Sequence, residues 1–361
     1  MGDVTSHSEL ISIMAPAATP TQYKLSFGPW NISTGADPFG PPVRREMEFA
    51  RKIKAYKELG FDAVQFHDDD VVSADLDWPA TQRGVAAVKS MVEGEGLFVE
   101  FIAPRLWEDP RTVDGGFTAN SEADRKYAID RSKRAADIAR ELGCKNFVLW
   151  LAREGSYIRE AKCAKTAVAR IVDAWNAILE HDPEIRILGE AKPNEPMDQA
   201  YLPTVGHMVG VTYRTVDPKR SGILIESAHS ILAGLDPADD MAYALYHDKL
   251  WSVHLNDQNG LKYDQDKVFG SVDLRRAFDQ VWVLEKNGFG RNGECVGLDV
   301  KAMRTTVFEE SMFHLSHSKT MFLRLVDIVR GVNTAQVEEL RKNRQYEQLE
   351  MLILNALTGR K

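Results

Sequence analysis

The sequence predicts an α/β protein: one (β/α)8 (TIM) barrel with a C-terminal helical extension. Three observations predict it. Apolar, β-type runs alternate about eight times with segments of helical period along 361 residues, the order a parallel barrel requires. Carboxylates and histidines fall just past the ends of successive runs, and in a barrel those ends share one rim. The rival, an open doubly wound sheet, wants a glycine-rich phosphate loop after an early strand, and the chain has none.

Residues 1–22 read as a flexible leader. Tyr23 to Trp30 is the first strand. Arg44 to Leu59 has apolar residues at helical spacing and stops at Gly60. Phe61 to Phe66 is the second strand and runs into His67-Asp68-Asp69-Asp70, where Asp68 and Asp69 read as cap or loop acids. Pro79 to Gly94 is a helix and Leu97 to Ala103 the third strand. A loop rich in Pro, Gly and Asp leads to helix Glu122 to Leu142, closed by Gly143. Asn146 to Leu151 is the fourth strand and Arg159 to Leu179 the next helix. The apolar run Ile185 to Leu188 is the fifth strand, and it delivers Gly189-Glu190-Ala191-Lys192-Pro193-Asn194-Glu195-Pro196. Gly222 to Glu226, Leu250 to Leu255 and Glu294 to Val300 complete the strands, with helices near Pro237 to Tyr246 and over Val272 to Asn287. Phe308 to Val332 is the closing helix. The barrel is thus bounded at 23–332, and 333–361 is a charged helical arm suited to a partner subunit.

A net charge of −8 and no basic stripe argue against nucleic-acid binding. No apolar run approaches the length of a membrane span. The leader lacks a basic start, and the three cysteines form no CxxC, so a cytoplasmic protein with free thiols is expected.

The chemistry-bearing residues are distributed by strand. His67 and Asp70 follow the second, Glu190 and Lys192 the fifth, and Glu226 and His229 the sixth. His254 and Asn256 follow the seventh, with Asp264 and Asp266 in its loop, and Asp299 and Lys301 follow the eighth. Singly, each acid has a bland reading as a helix cap or loop residue, and each histidine as a hydrogen-bonded structural residue. Their agreement over so many strands is what points to a site. Carboxylates crowded at one rim repel unless cations lie among them. Two divalent ions would explain the set, with Glu226 between them. Oxygen ligands from Glu190, Glu226, Asp264, Asp266 and Asp299 suit Mg2+ or Mn2+, while His229 and His254 move the preference towards Mn2+ or Co2+.

FHDDD at 66–70, GEAKPNEP at 189–196, PTVGH at 203–207, NDQNGLKYDQD at 256–266 and LDVKAMRT at 298–305 resemble the xylose (glucose) isomerases in order and spacing. The resemblance spans roughly Phe27 to Gly331. It implies a (β/α)8 barrel, two divalent metals per subunit and a homotetramer built of dimers. It also implies interconversion of D-xylose and D-xylulose, or D-glucose and D-fructose, by ring opening and a metal-assisted 1,2-hydride shift. His67 would then assist ring opening, oriented by Asp70, and Lys192 would polarise the carbonyl end of the sugar. Glu190, Glu226 and Asp299 would hold one metal, and Glu226, His229, Asp264 and Asp266 the other. Trp30, Trp150 and Lys301 would meet the substrate, and Phe39, in DPFG, would be lent by a neighbouring subunit.

Departures from that pattern gather around the substrate. His254 stands where the first metal ordinarily has an aspartate. Trp107 stands where the pocket has a phenylalanine, which would shrink it. Ala191 replaces a proline beside the lysine. Arg105 replaces a neutral residue, either to reach an anionic group or to pair on the surface with Glu108 or Asp109; the surface pair is the expectation, because arginine usually stays solvated. The alternative activity is epimerisation or dehydration of another polyhydroxy carbonyl compound.

Overall fold

The computed structural model describes residues 21–360. The leader expected over 1–22 lies outside these, apart from Thr21 and Gln22. Eight parallel strands close into a barrel: β1 (Lys24–Phe27), β2 (Ala63–His67), β3 (Phe98–Ala103), β4 (Asn146–Trp150), β5 (Arg186–Glu190), β6 (Ser221–Glu226), β7 (Leu250–Leu255) and β8 (Cys295–Leu298). Each strand pairs with its sequence neighbours, and β1 pairs with both β2 and β8. The expected (β/α)8 fold is the one observed. Its strands read as apolar runs because both faces are covered; in β2 and β6 every residue is buried.

Ten helices surround or cap the strands: α1 (Phe49–Leu59), α2 (Asp68–Val71), α3 (Trp78–Gly94), α4 (Glu122–Leu142), α5 (Ala164–His181), α6 (Val205–Thr212), α7 (Ser227–Leu232), α8 (Pro237–Tyr246), α9 (Leu274–Lys286) and α10 (Phe313–Gly331). Local chemistry sets their ends. Asp77, Ser121 and Asp273 accept backbone N–H bonds at the starts of α3, α4 and α9. Gly60 and Gly143 stop α1 and α4 in the left-handed conformation that glycine takes without strain. Several boundaries differ from expectation: α5 begins at Ala164 rather than Arg159 and α10 at Phe313 rather than Phe308, and two others have a visible cause. Helix α1 begins at Phe49 rather than Arg44, because the Arg44 guanidinium ties the loop carbonyls of Met303 and Thr306, each at 2.9 Å. Strand β1 stops at Phe27, and a 3-10 turn over Pro29–Asn31 carries Trp30 across the rim.

Between strands and helices lies a continuous apolar shell that includes the fully buried Trp175, Phe147, Phe278 and Phe322. Inside the barrel the apolar set is small: Phe101, Ala103, Val148, Leu188 and Leu224, with Trp30 and Trp251 against it. Ser26, Gln65, Glu100, Ser252 and His254 are buried polar residues of the strands.

Residues beyond α10 form α11 (Thr334–Lys342) and α12 (Tyr346–Thr358). The expected arm is helical, and it lies against its own barrel. Val337 and Ile353 are buried in the main core, Leu349 and Leu352 pack on it, and Arg275 bridges Glu350 at 2.8 Å. No described helix is long and apolar enough to cross a membrane.

Candidate metal centre and active site

The rim gathers what the strands deliver. Strand β5 ends on Glu190 and β6 on Glu226, both buried. Strand register sets Glu226 beside His254. His229, three residues after Glu226 on α7, lies over the same strand end, its Nε2 3.2 Å from Glu226 and from Asp264 and its Nδ1 3.4 Å from Glu190. Asp264 and Asp266 arrive on the loop after β7, which is pinned by paired backbone bonds between Asp257 and Lys267 and by Glu195 accepting the Asp264 N–H at 3.0 Å. The Asn256 amide donates to Glu226 (2.8 Å), Asp266 (3.2 Å) and the Asp299 carbonyl (2.9 Å), joining three elements.

Three trios of ligand atoms each lie within 4.8 Å of one another: Glu190, Glu226 and His229; Glu226, His254 and Asp299; Glu226, Asp264 and Asp266. Glu226 belongs to all three. Burial, and then the charges of Asp264, Asp266, Asp299 and Glu190, push its carboxyl well above the usual range. Burial and Asp264 do the same to Asp266. Burial also opposes ionisation of Asp264, but its bond to His229 and the Lys192 ammonium hold it well below the usual range. Three buried atoms here, His229 Nδ1, His254 Nδ1 and Asp264 Oδ1, have no hydrogen-bond partner among the described residues. Buried polar atoms are normally satisfied, and a divalent cation would satisfy these. The carboxylate–imidazole set is therefore compatible with a divalent metal.

The barrel interior orients the His254 imidazole. Glu100 accepts bonds from the Ser26 hydroxyl, from Ser252 at 2.6 Å and from Gln65 Nε2 at 3.0 Å. That orients the Gln65 amide, whose oxygen lies 3.1 Å from His254 Nε2. His254 must then carry its proton on Nε2, leaving Nδ1 bare towards Glu226 and Glu190, at 3.7 and 4.0 Å. Burial also keeps the ring neutral by lowering its pKa. Gly297 of β8 makes room: a Cβ there would lie 2.4 Å from Gln65 Nε2 and 3.0 Å from His254 Cδ2. Sequence reasoning missed Gln65 and Glu100. Their signal was a carboxylate within the otherwise apolar run Phe98–Ala103, and a glutamine two residues before His67, hence on the same face of β2.

Lys192 is buried, 2.8 Å from Asp264 and 3.3 Å from Glu195, with its ammonium 5.2 Å from the Trp150 ring centre. Trp150 meets Trp107 edge to face at 4.5 Å, Trp107 meets His67 at 5.0 Å, and His67 meets Trp30 at 4.3 Å. Trp30 Nε1 donates to Asp299 at 3.0 Å. The structure thus brings Trp30, Trp107, Trp150, His67 and Lys192 into one wall beside the acidic cluster. The Lys301 ammonium binds Asp266 from the outer side. Phe39 stands outside this wall, 70% exposed, with its ring 5.0 Å from Tyr263.

Two sequence expectations are corrected at the His67 end. Asp68 is not a solvated cap: it is fully buried, with Arg131 bonding it through Nε (2.9 Å) and Nη2 (3.0 Å), and it accepts the Arg105 N–H at 2.9 Å. Arg105 does not spend itself on the surface. It reaches Glu108 only at 3.5 Å, while its Nε donates to Asp69 (2.8 Å) and its Nη2 to Asp70 (3.0 Å), with His67 Nδ1 2.8 Å away. The acids ahead of it outweigh the solvation that arginine would otherwise keep.

Fold and rim together define a TIM barrel whose rim gathers a carboxylate–imidazole set compatible with a divalent cation, beside a buried lysine. The family described as the xylose isomerase-like TIM barrel matches residues 53–287, and the chain belongs to it. Among solved structures, the fold is similar to a 3-keto-D-glucoside 4-epimerase from E. coli (TM-score 0.61, 15% identity, 83% of this chain and 100% of that one). It is also similar to a D-tagatose 3-epimerase-like protein (TM-score 0.62, 16% identity, 85% and 98%). A third is the IolI protein with a bound zinc atom (TM-score 0.58, 13% identity, 84% and 98%).

Proposed function

We propose that this protein is a divalent-metal-dependent aldose–ketose isomerase of the xylose isomerase type, acting on D-xylose or a related sugar. The observation that carries the reading is the buried Lys192 ammonium, 2.8 Å from Asp264 and set against the cluster centred on Glu226. In the reaction a hydride passes between adjacent carbons and a proton between their oxygens, so atoms balance without a redox cofactor. Glu226, His254 and Asp299, with Glu190 4.0 Å from His254, would hold one Mg2+, Mn2+ or Co2+ ion, and Glu226, Asp264 and Asp266, with His229 3.2 Å from Asp264, a second. Bound there, the cations would supply electrostatic stabilisation of the two substrate oxygens. Lys192 would donate to the carbonyl oxygen, where negative charge develops. Trp30, Trp107 and Trp150 would cover the C–H face of the sugar and exclude water. The exposed Phe39 would be covered in a homodimer or homotetramer, which sedimentation checks.

Epimerisation at a carbon beside a carbonyl is the second reading. It is favoured by the imidazole of His254 in place of a carboxylate, and by relatives whose names are epimerases. Turnover of aldoses and ketoses in D2O, with each metal supplied in turn, separates the two. A hydride shift yields ketose free of solvent deuterium. Deuterium at the carbon beside the carbonyl overturns the hydride shift, and turnover of ketoses alone to new ketoses overturns the isomerase in favour of the epimerase.

A further inference from the structure

We infer that Arg105 is a positioning residue that fixes the His67 imidazole as its neutral Nε2–H tautomer, so that His67 offers the substrate a hydrogen-bond donor and not a proton acceptor.

Two groups compete for His67 Nδ1: Arg105 Nη2 at 2.8 Å and Asp70 Oδ2 at 3.1 Å. They make opposite demands. A guanidinium nitrogen can only donate, and it keeps its protons at any pH a protein survives. A carboxylate oxygen can only accept. The shorter contact is with the donor. If Nδ1 carried a proton, two N–H groups would point at each other across 2.8 Å, and a doubly protonated ring would add charge repulsion to that clash.

Asp70 does not need the imidazole proton. Its Oδ2 accepts the His67 backbone N–H at 2.8 Å, and its Oδ1 accepts Arg105 Nη2 at 3.0 Å. The two hydrogens of Nη2 are then both used, one on Asp70 Oδ1 and one on His67 Nδ1. The guanidinium is held on its other side by Asp69 through Nε at 2.8 Å, and its backbone N–H by Asp68 at 2.9 Å. Asp68 is in turn locked by Arg131. The Arg105 head has little freedom to leave Nδ1.

With Nδ1 occupied as an acceptor, the ring proton sits on Nε2, which has no partner among the described residues. The ring is walled by Trp30 and Trp107. If the sugar-enzyme reading holds, an oxygen placed against Nε2 receives a hydrogen bond and cannot pass its own proton to that nitrogen. The site would then favour a substrate that arrives with its carbonyl or alkoxide oxygen already formed over one that must first lose a hydroxyl proton to His67. That preference rests on the proposed function; the tautomer does not.

The test is magic-angle-spinning NMR of the full chain labelled with 15N-histidine, at about pH 8, above the ordinary imidazole range. The His67 signals are assigned by their loss in His67→Gln. Protonated and bare ring nitrogens resonate far apart, so the tautomer is read directly. The expected result is a protonated Nε2 and a bare Nδ1 in the unsubstituted protein, and a shift of the proton to Nδ1 in Arg105→Met, where Asp70 becomes the sole partner. A protonated Nδ1, or a mixture of tautomers, in the unsubstituted protein overturns the inference without any variant needing to fold. An unchanged Nε2–H pattern in Arg105→Met removes Arg105 as the cause. Neither spectrum depends on turnover, so a failed substrate screen sinks the proposed reaction and leaves this inference standing.

Discussion

Replacing Gln65 by leucine probes the link between the barrel interior and the rim. The side chain is fully buried and carries bonds to Ser26 (3.1 Å), Glu100 (3.0 Å) and His254 Nε2 (3.1 Å). Leucine roughly fills the space but leaves the His254 N–H and one Glu100 oxygen short of a partner. A buried polar group left unsatisfied costs about 1–3 kcal/mol. Unfolding entropy near 2.1 cal/mol/K per residue converts that, in a chain of this length, to a fall of about 1–4 °C in the Tm of metal-free protein. The larger effect should be on the cation. Without Gln65 the His254 proton is free to move to Nδ1, the atom that faces Glu226. Loss of such a supporting bond typically weakens a metal about 10–100-fold, or roughly 1.4–2.7 kcal/mol. Calorimetric titration with Mn2+, run beside melts of chelator-treated protein, measures both. A Gln65→Leu protein with native Mn2+ affinity would show that the relay does not control a ligand, and the role given to His254 would fall with it.

Three further outcomes are expected. Arg131→Met strips the buried Asp68 of its counter-charge and should cost about 3–5 kcal/mol in denaturant unfolding, whereas Asp68→Leu with Arg131→Met should recover most of it; a loss below about 1 kcal/mol for the single change would refute a locked pair. Lys192→Met should leave Mn2+ binding within a few-fold of the native value while turnover falls by about 100-fold or more, and native turnover would remove Lys192 from the mechanism. His314 is buried, its Nε2 donating to the Asn31 carbonyl at 3.0 Å, and burial pushes its pKa down to about 4. The unfolded chain takes up that proton near 6.5, so the contribution is complete above about pH 6.5 and is lost as pH falls towards about 4, by about 3 kcal/mol. His314→Gln should flatten that part of the stability–pH curve, and an unchanged slope would place the titration elsewhere.

The amount of the site legible in the sequence differs from residue to residue. Glu190 and Glu226 were visible because a strand end is a local feature, an apolar run stopping on a carboxylate, and His254 because it stands one residue inside the end of its strand. Helix α4 was visible end to end, since Ser121 and Gly143 mark its limits by short-range hydrogen bonding. Arg105 was misread because its local partners, Glu108 and Asp109, are near in sequence, whereas the acids it binds lie about 35 residues earlier on the neighbouring strand end. Asp68 was misread for the same reason, its arginine being 63 residues away.

By itself, the order of residues determined the barrel, through alternating apolar periods, and the kinds of polar side chain offered at successive strand ends, because both are written within one turn or one strand. Only closure of the barrel decided which of them meet. Register set Glu226 against His254, threaded Glu100 through Gln65 to that imidazole, and brought Arg105 to His67. Contacts between strands depend on stagger and tilt, which are properties of the closed sheet and have no counterpart in the spacing of residues along the chain.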